Sequence, residues 1–245
     1  MFNKEDALIP FDTSPLPFGP WLVFAPHADD ETFGMGGTLL KAKEEGVETH
    51  LVVLTDGSMG GNSPDIVETR IREVQQAAEI LGFQSLQHWG EPDRLLEASE
   101  ILVEKAFTLI SKLQPASVFF PAPLEIHPDH RTAALLVWNA LRMVADADIE
   151  FRPIAYEIGV QNPINLLINV TEQISVKKEV MQIYASQNQE NNYPELVLAL
   201  DKGRTFSLPQ NVQFAEGFYC YELRDLDFTL DEITHEVIDR YQRLS

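Results

Sequence analysis

The stretch Trp21-Leu-Val-Phe-Ala-Pro-His27-Ala-Asp29-Asp30-Glu31-Thr-Phe-Gly34-Met-Gly36-Gly37-Thr-Leu-Leu-Lys-Ala-Lys-Glu44 joins an apolar run to an acidic, histidine-bearing turn and then to a helical pattern. Leu22 to Ala25 have the length and character of a strand buried on both faces. Gly34, Gly36 and Gly37 let the backbone bend before a helix over about 36–45. His27, Asp29 and Asp30 then stand at the carboxyl end of a strand, which is where open α/β sheets bind ligands. Adjacent carboxylates repel and raise one another's pKa, a cost that a divalent cation removes. A neutral imidazole with a carboxylate suits Zn²⁺. Over this stretch alone, an acidic helix N-terminus accounts for the same residues, since Asp and Glu are favoured there.

A second cluster has the same construction. Ser117-Val-Phe-Phe-Pro-Ala-Pro123 is a second buried-strand run, and it leads through Leu124-Glu125-Ile126 into His127-Pro128-Asp129-His130. Three of the six histidines therefore fall just past two strand ends. Pro128 and Asp129 suit the first turn of the following helix, proline because it lacks an N–H that the turn cannot use and aspartate because it complements the helix dipole. That places His130 on a rigid element.

These paired stretches resemble the motifs of the LmbE-like, or PIG-L-like, zinc-dependent N-acetylglucosaminyl de-N-acetylase family, Pro-His-Pro-Asp-Asp-Glu followed about a hundred residues later by His-Pro-Asp-His. The chain carries Pro26-His27-Ala28-Asp29-Asp30-Glu31 and His127-Pro128-Asp129-His130, departing only at Ala28, which removes some turn rigidity and no ligand. Weaker matches are Leu54-Thr-Asp-Gly57, Arg70-Ile-Arg-Glu73, Ala77-Ala78, Leu81-Gly82, Asp93, Ser186-Gln187 and Glu216-Gly-Phe218, so the resemblance spans roughly residues 20 to 220. It implies an LmbE-like fold, and substrate-binding roles for Arg70 and Asp93. The alternative for Arg70 is a surface ion pair with Glu73, three residues on.

The intervening chain alternates strand and helix. Glu48 to Thr55 reads as a strand, 56–64 as a turn-rich loop on the edge of the metal motif, 66–81 as a helix closed by Gly82, Leu86 to Gly90 as a third strand, and about Glu100 to Leu113 as a helix. The helix after His130 runs to about Ala145. Such βα repetition predicts an α/β fold, a Rossmann-like three-layer α/β/α sandwich with a mostly parallel sheet covered on both faces. Further on, Phe151 to Val160, Leu166 to Val170 and Gly217 to Leu223 suggest strands. Thr171 to Ala185, with Thr171 as cap, and Pro194 to Leu200 suggest helices. His50 and His88 lack motif partners and read as structural, and His235 as exposed. Ser186, Gln187 and Gln189 to Asn192 supply amides that could meet sugar hydroxyls, although a polar surface loop has the same composition.

At 245 residues with 44% hydrophobic content, the chain is expected to form a single domain over 1–245, with an extended N-terminal arm over about 1–20. A net charge of −20 disfavours phosphate backbones and anionic lipid, both of which are held by Lys and Arg. No nucleic acid or membrane partner is expected. The single cysteine, Cys220, among Phe218, Tyr219 and Tyr221, reads as a buried strand residue and fits a reducing compartment. No signal-like leader or membrane-length apolar run is present, so a cytoplasmic location is expected, with homo-oligomerisation left open.

The ligand count suggests the chemistry. His27, Asp30 and His130 supply three protein ligands and leave a fourth position for water, as in catalytic rather than structural zinc sites; Fe²⁺ or another divalent ion would also fit such a set. Asp29 is then free to act as general base, and His127, paired with Asp129 or another carboxylate, to stabilise the oxyanion or supply a proton. The family resemblance implies the same roles. The expected reaction is hydrolysis of an N-acetyl group from a small acylated amino-sugar conjugate. Two alternatives stand beside it. One is a Rossmann-like nucleotide- or cofactor-binding module, weakened because Gly34-Met-Gly36 is followed by Leu39 rather than a third glycine or alanine. The other is a metal-binding family member without catalysis.

Overall fold

The computed structural model describes residues 8–145, 150–189 and 191–243. Residues 8–20 of the expected arm carry no helix or strand, and 1–7 lie outside the described residues. The elements that follow are β1 (Trp21–Ala25), α1 (Asp30–Glu44), β2 (Thr49–Thr55), α2 (Ile66–Leu81), β3 (Ser85–Glu91), α3 (Glu100–Leu113), β4 (Ser117–Pro121), α4 (Pro128–Ala145), β5 (Arg152–Tyr156), β6 (Leu166–Asn169), α5 (Ile174–Ile183), α6 (Ala185–Asn188), α7 (Tyr193–Gly203), β7 (Ala215–Cys220) and α8 (Leu230–Arg243). The seven strands form one sheet in the order β3-β2-β1-β4-β5-β7-β6.

The first five strands pair in parallel, and β7 runs antiparallel to both β5 and β6. Side chains along β1 alternate between two cores, as the two-residue period of a strand requires. Leu22 and Phe24 pack with residues of α3 and α4, whereas Trp21, Val23 and Ala25 pack with residues of α1, α2 and α5. All five are fully buried, which accounts for a continuous apolar run in place of alternation. The chain moves outward from β1 through β2 to β3, then returns to place β4 on the other side of β1. That reversal opens a crevice at the carboxyl ends of β1 and β4, a topological switch point.

Several sequence expectations are corrected here. The first helix begins at Asp30, not near 36, and bends at Met35, whose φ of −146° is non-helical. Its glycines lie within the helix because the sheet approaches closely: a Cβ on Gly34 would sit 2.4 Å from the Glu157 carbonyl oxygen. Past the bend, the N–H groups of Gly37 and Thr38 donate to the Glu216 carboxylate at 2.8 and 2.7 Å. Thr171 does not cap α5, whose first residue is Ile174; its hydroxyl accepts from the Gln213 N–H at 2.8 Å. The later strands are shorter or shifted relative to expectation, and Cys220 is half-buried, because it ends β7 beside the surface. His50 bridges Ser85 Oγ and Glu48 across β2 and β3, a structural position, and His235 is exposed. Among the described residues, no helix is long and apolar enough to cross a membrane.

Candidate metal centre and cleft

The turn after β1 is set by Asp29, whose φ of 142° is unusual for a side-chain-bearing residue. Its carbonyl accepts from the N–H groups of Thr32 and Phe33, both at 2.9 Å, so the strained residue starts α1 and aims successive side chains in different directions. Asp30 folds back to accept from the His27 N–H at 2.9 Å. Its Oδ2 then lies 3.1 Å from His27 Nδ1 and 3.3 Å from His130 Nε2. Two donors bound to one tetrahedral zinc at its usual bond lengths are about 3.3–3.6 Å apart. Asp30 thus stands between the two imidazoles, each of its separations from them close to the donor spacing that a zinc ion imposes.

The far side of His27 determines its tautomer. Nε2 lies 3.1 Å from Asp129 Oδ2 and 3.2 Å from Asp93 Oδ1. A proton on Nε2 satisfies those carboxylates and leaves the Nδ1 lone pair facing Asp30, the arrangement by which outer carboxylates orient metal-binding histidines. Asp129 is itself fixed by N–H groups of Arg94 at 2.7 Å and Leu96 at 3.4 Å, and Asp93 by the Met59 N–H at 3.0 Å. Of the expected pairing of His127 with Asp129 or another carboxylate, the contact with Asp129 is made through its backbone. The Asp129 carboxylate belongs to His27, and the link to His127 runs from the Asp129 N–H to His127 Nδ1 at 3.2 Å. With Nδ1 accepting, His127 carries its proton on Nε2.

Among the described residues, donor atoms within 4.8 Å of one another form two overlapping sets, His27 with His127 and His130, and His27 with Asp93, His127 and Asp129, and the predicted ligand Asp30 belongs to neither. His127 joins both, which the sequence reading did not assign as a ligand.

Charge in this cluster is unbalanced. Burial pushes the Asp29 carboxyl up to about 7, against the opposing pull of Arg70, whose Nη2 is 3.4 Å from Asp29 Oδ1. Burial opposes the charge of His130, but Asp30 and Glu125 carry its pKa up to about 9. Burial likewise opposes the charge of His27, and its hydrogen bonds to Asp129, Asp30 and Asp93 raise it well above the usual value. Asp93 is held down to about 2; burial works against ionisation there, and His27 outweighs it. His127 is lowered, first by burial and then by the neighbouring imidazoles, and so stays neutral near pH 7.

Arg70 is buried and donates to the Ala28 carbonyl at 3.1 Å and the Gly57 carbonyl at 3.4 Å. It does not pair with Glu73, which accepts from the Ser186 hydroxyl and N–H. The 56–64 loop closes on the guanidinium: Gly57 has φ +64°, and a Cβ there would lie 2.7 Å from Arg70 Nε. Arg70 lines, with His27, Asp29, Asp30, Asp93, His127 and His130, a cleft of about 550 Å³ that also receives Phe33, Ile126, Gln187, Asn191, Tyr193 and Leu196. The expected amides of Gln187 and Asn191 thus do reach the cleft. Ser186 is engaged with Glu73.

Sequence reasoning missed Glu125, Phe33 and Tyr193. Glu125 stands two residues before His127, but nothing in its local pattern separates a buried carboxylate from a solvated one. At the dinucleotide position, the free N–H groups that would bind phosphate are already used, by Asp29 in the first turn and by Glu216 past the bend.

A family profile described as "PIG-L: GlcNAc-PI de-N-acetylase" matches residues 22–141, which contain His27, Asp29, Asp30, Arg70, Asp93, His127, Asp129 and His130. Over 228 residues, 83% of this chain and 96% of the relative, the sequence is 28% identical to "Probable N-acetyl-alpha-D-glucosaminyl L-malate deacetylase 2" of Bacillus anthracis. It is 34% identical over 123 residues to "Diacetylchitobiose deacetylase" of Thermococcus kodakarensis, a match that spans 47% of this chain and 46% of that protein. The fold is similar to that of the N,N'-diacetylchitobiose deacetylase from Pyrococcus horikoshii, with a TM-score of 0.76, 22% identity and 86% of each chain covered.

Proposed function

Because this chain belongs to the PIG-L (LmbE-like) de-N-acetylase family, we propose that it is a zinc-dependent hydrolase that removes the acetyl group from an N-acetylglucosamine-type conjugate. The observation that carries this reading is the position of the Asp30 carboxylate between His27 Nδ1 and His130 Nε2, with the separate carboxylate of Asp29 beside it in the cleft. We assign the metal to His27, Asp30 and His130 because Asp30 Oδ2 faces a ring nitrogen of both imidazoles, whereas Asp93 and Asp129 stand at the other ring nitrogen of His27. A bound divalent ion would supply Lewis acidity, lowering the pKa of water and polarising the acetyl carbonyl.

The chain's own residues account for the proton movements. Asp29, with a pKa near neutrality, accepts a proton from the attacking water as its oxygen bonds to the acetyl carbon. It returns that proton to the leaving nitrogen as the C–N bond breaks, giving acetate and a primary amine. His127 presents its Nε2–H to the oxygen on which negative charge develops. Asp129 is a positioning residue that holds His27, and Asp93 shares that task while lining the cleft for substrate. Arg70 keeps Asp29 oriented and lowers its pKa, and its position beside the cleft also suits a substrate oxygen. Phe33, Tyr193 and Leu196 offer an apolar wall to the sugar ring. The test combines elemental analysis with acetate release from a panel of N-acetylglucosaminides. About one divalent ion per chain and matched release of acetate and amine are expected; a chain that binds no divalent ion on titration and hydrolyses no N-acetyl amide overturns the reading.

A further inference from the structure

The two imidazoles that face Asp30 are supported differently from behind. His27 presents its far nitrogen to two carboxylates, whereas His130 Nδ1 is buried without a hydrogen-bond partner. On that side stands Glu125, whose Oε2 is 3.7 Å from His130 Nδ1. Glu125 is 1% exposed. It accepts from the N–H groups of Ile158 at 2.9 Å and Gly159 at 3.0 Å, and from Asn162 Nδ2 at 3.4 Å. These bonds immobilise the carboxylate and join it to the segment after β5 that lines the cleft. An ionised carboxylate has about four acceptor sites, so three donors leave room for one more.

We propose, resting on the reading of His27, Asp30 and His130 as the metal-binding set, that Glu125 is a positioning residue for His130. It accepts the Nδ1–H, fixes the ring and its tautomer, and leaves the Nε2 lone pair for the cation. In the arrangement described, 3.7 Å is an ion-pair contact rather than a hydrogen bond. Coordination leaves His130 a single ring proton, on Nδ1, and that proton requires an acceptor where Glu125 stands. Closing to hydrogen-bond length takes a movement of under about 1 Å. The chain then holds its two histidine ligands by one principle from opposite sides, Asp93 and Asp129 behind His27 and Glu125 behind His130.

The experiment uses the zinc-loaded full chain with ¹⁵N-labelled histidine, together with zinc affinity measured against a competing chelator. The wild-type chain should show a downfield, exchange-protected Nδ1–H signal from His130. Glu125→Gln should shift that signal upfield and raise the zinc dissociation constant by about 10–100-fold, the usual effect of removing an outer carboxylate. Glu125→Asp should give an intermediate loss. Asn162→Ala removes a tether of Glu125 while leaving its two backbone donors, so it should lower thermal stability and leave zinc affinity within about twofold of wild type. Wild-type protein that binds zinc without a protected His130 Nδ1–H overturns the proposal whatever the variants do. So does an Asn162→Ala chain that loses as much affinity as Glu125→Gln, since loop packing would then be the cause. Failure of the wild-type chain to bind any divalent ion sinks the functional reading itself, and this proposal with it.

Discussion

Two buried charged clusters flank α1, and they differ in how their charge is closed. Near the bend at Met35, Lys177 Nζ donates to Asp201 and Glu216 at 2.7 Å each, and Glu216 accepts the Gly37 and Thr38 N–H groups. All three side chains are buried and none lines the cleft. At the start of α1, Asp29, Asp30, Asp93 and Glu125 all line the cleft, with Arg70 the buried permanent cation among them. Burial of charge by itself therefore does not mark a functional site. The first cluster sets two carboxylates against one lysine, with burial pushing the Asp201 carboxyl up to about 7. Its groups nonetheless bond to one another and to backbone N–H groups and tie the second half of α1 to β7. The second carries excess negative charge that opens to a cavity, and His27 and His130 hold raised pKa values in partial compensation.

The sharpest way to break this contrast is to treat the adjacent aspartates separately. Asp30→Ala should abolish acetate release together with metal occupancy, because only His27 and His130 remain of the proposed ligands. Asp29→Asn should retain metal while turnover falls by roughly 10² to 10⁴-fold, the usual contribution of a general base. Metal content and acetate release on the same preparations decide the matter; loss of metal from Asp29→Asn alone would reverse the two assignments.

A smaller effect tests the closed cluster. Lys177→Met leaves Asp201 and Glu216 buried without their cation, a change that costs about 3–5 kcal/mol. Denaturant unfolding should register that loss, whereas metal bound per folded molecule should equal wild type. A variant as stable as wild type would show that the triad does not support the fold.

The smallest expected effect is a pH dependence. Folding raises the Asp29 carboxyl from the model-compound value of 3.8 to about 7, so the folded chain holds a proton that the unfolded chain releases. Stability from this group is complete below the unfolded pKa and is lost as pH rises through about 7. In chelator, Asp29→Asn should therefore gain thermal stability over wild type, by little near pH 4 and by more toward pH 8. Melting temperatures that stay parallel across this range would exclude an ionising Asp29 as a source of strain in the metal-free chain.

Local sequence determined the elements whose causes are themselves local. The buried apolar run of β1, the end of α2 at the left-handed Gly82 and the Pro128 start of α4 can each be read within a few residues. So could the paired histidine and aspartate motifs at two strand ends. Tertiary structure alone decided how those ends combine. With β1 between β2 and β4 and β3 beyond β2, Asp93 and Asp129 reach the same face of His27 from distant points in the chain. No spacing encodes that convergence, and no composition distinguishes a buried Glu125 or Lys177 from a solvated one. The close seating of the α1 glycines and the antiparallel pairing of β7 have the same origin. Each depends on contacts made across the sheet, with Glu157, Glu216 and β5, which exist only once the distant strands are in place.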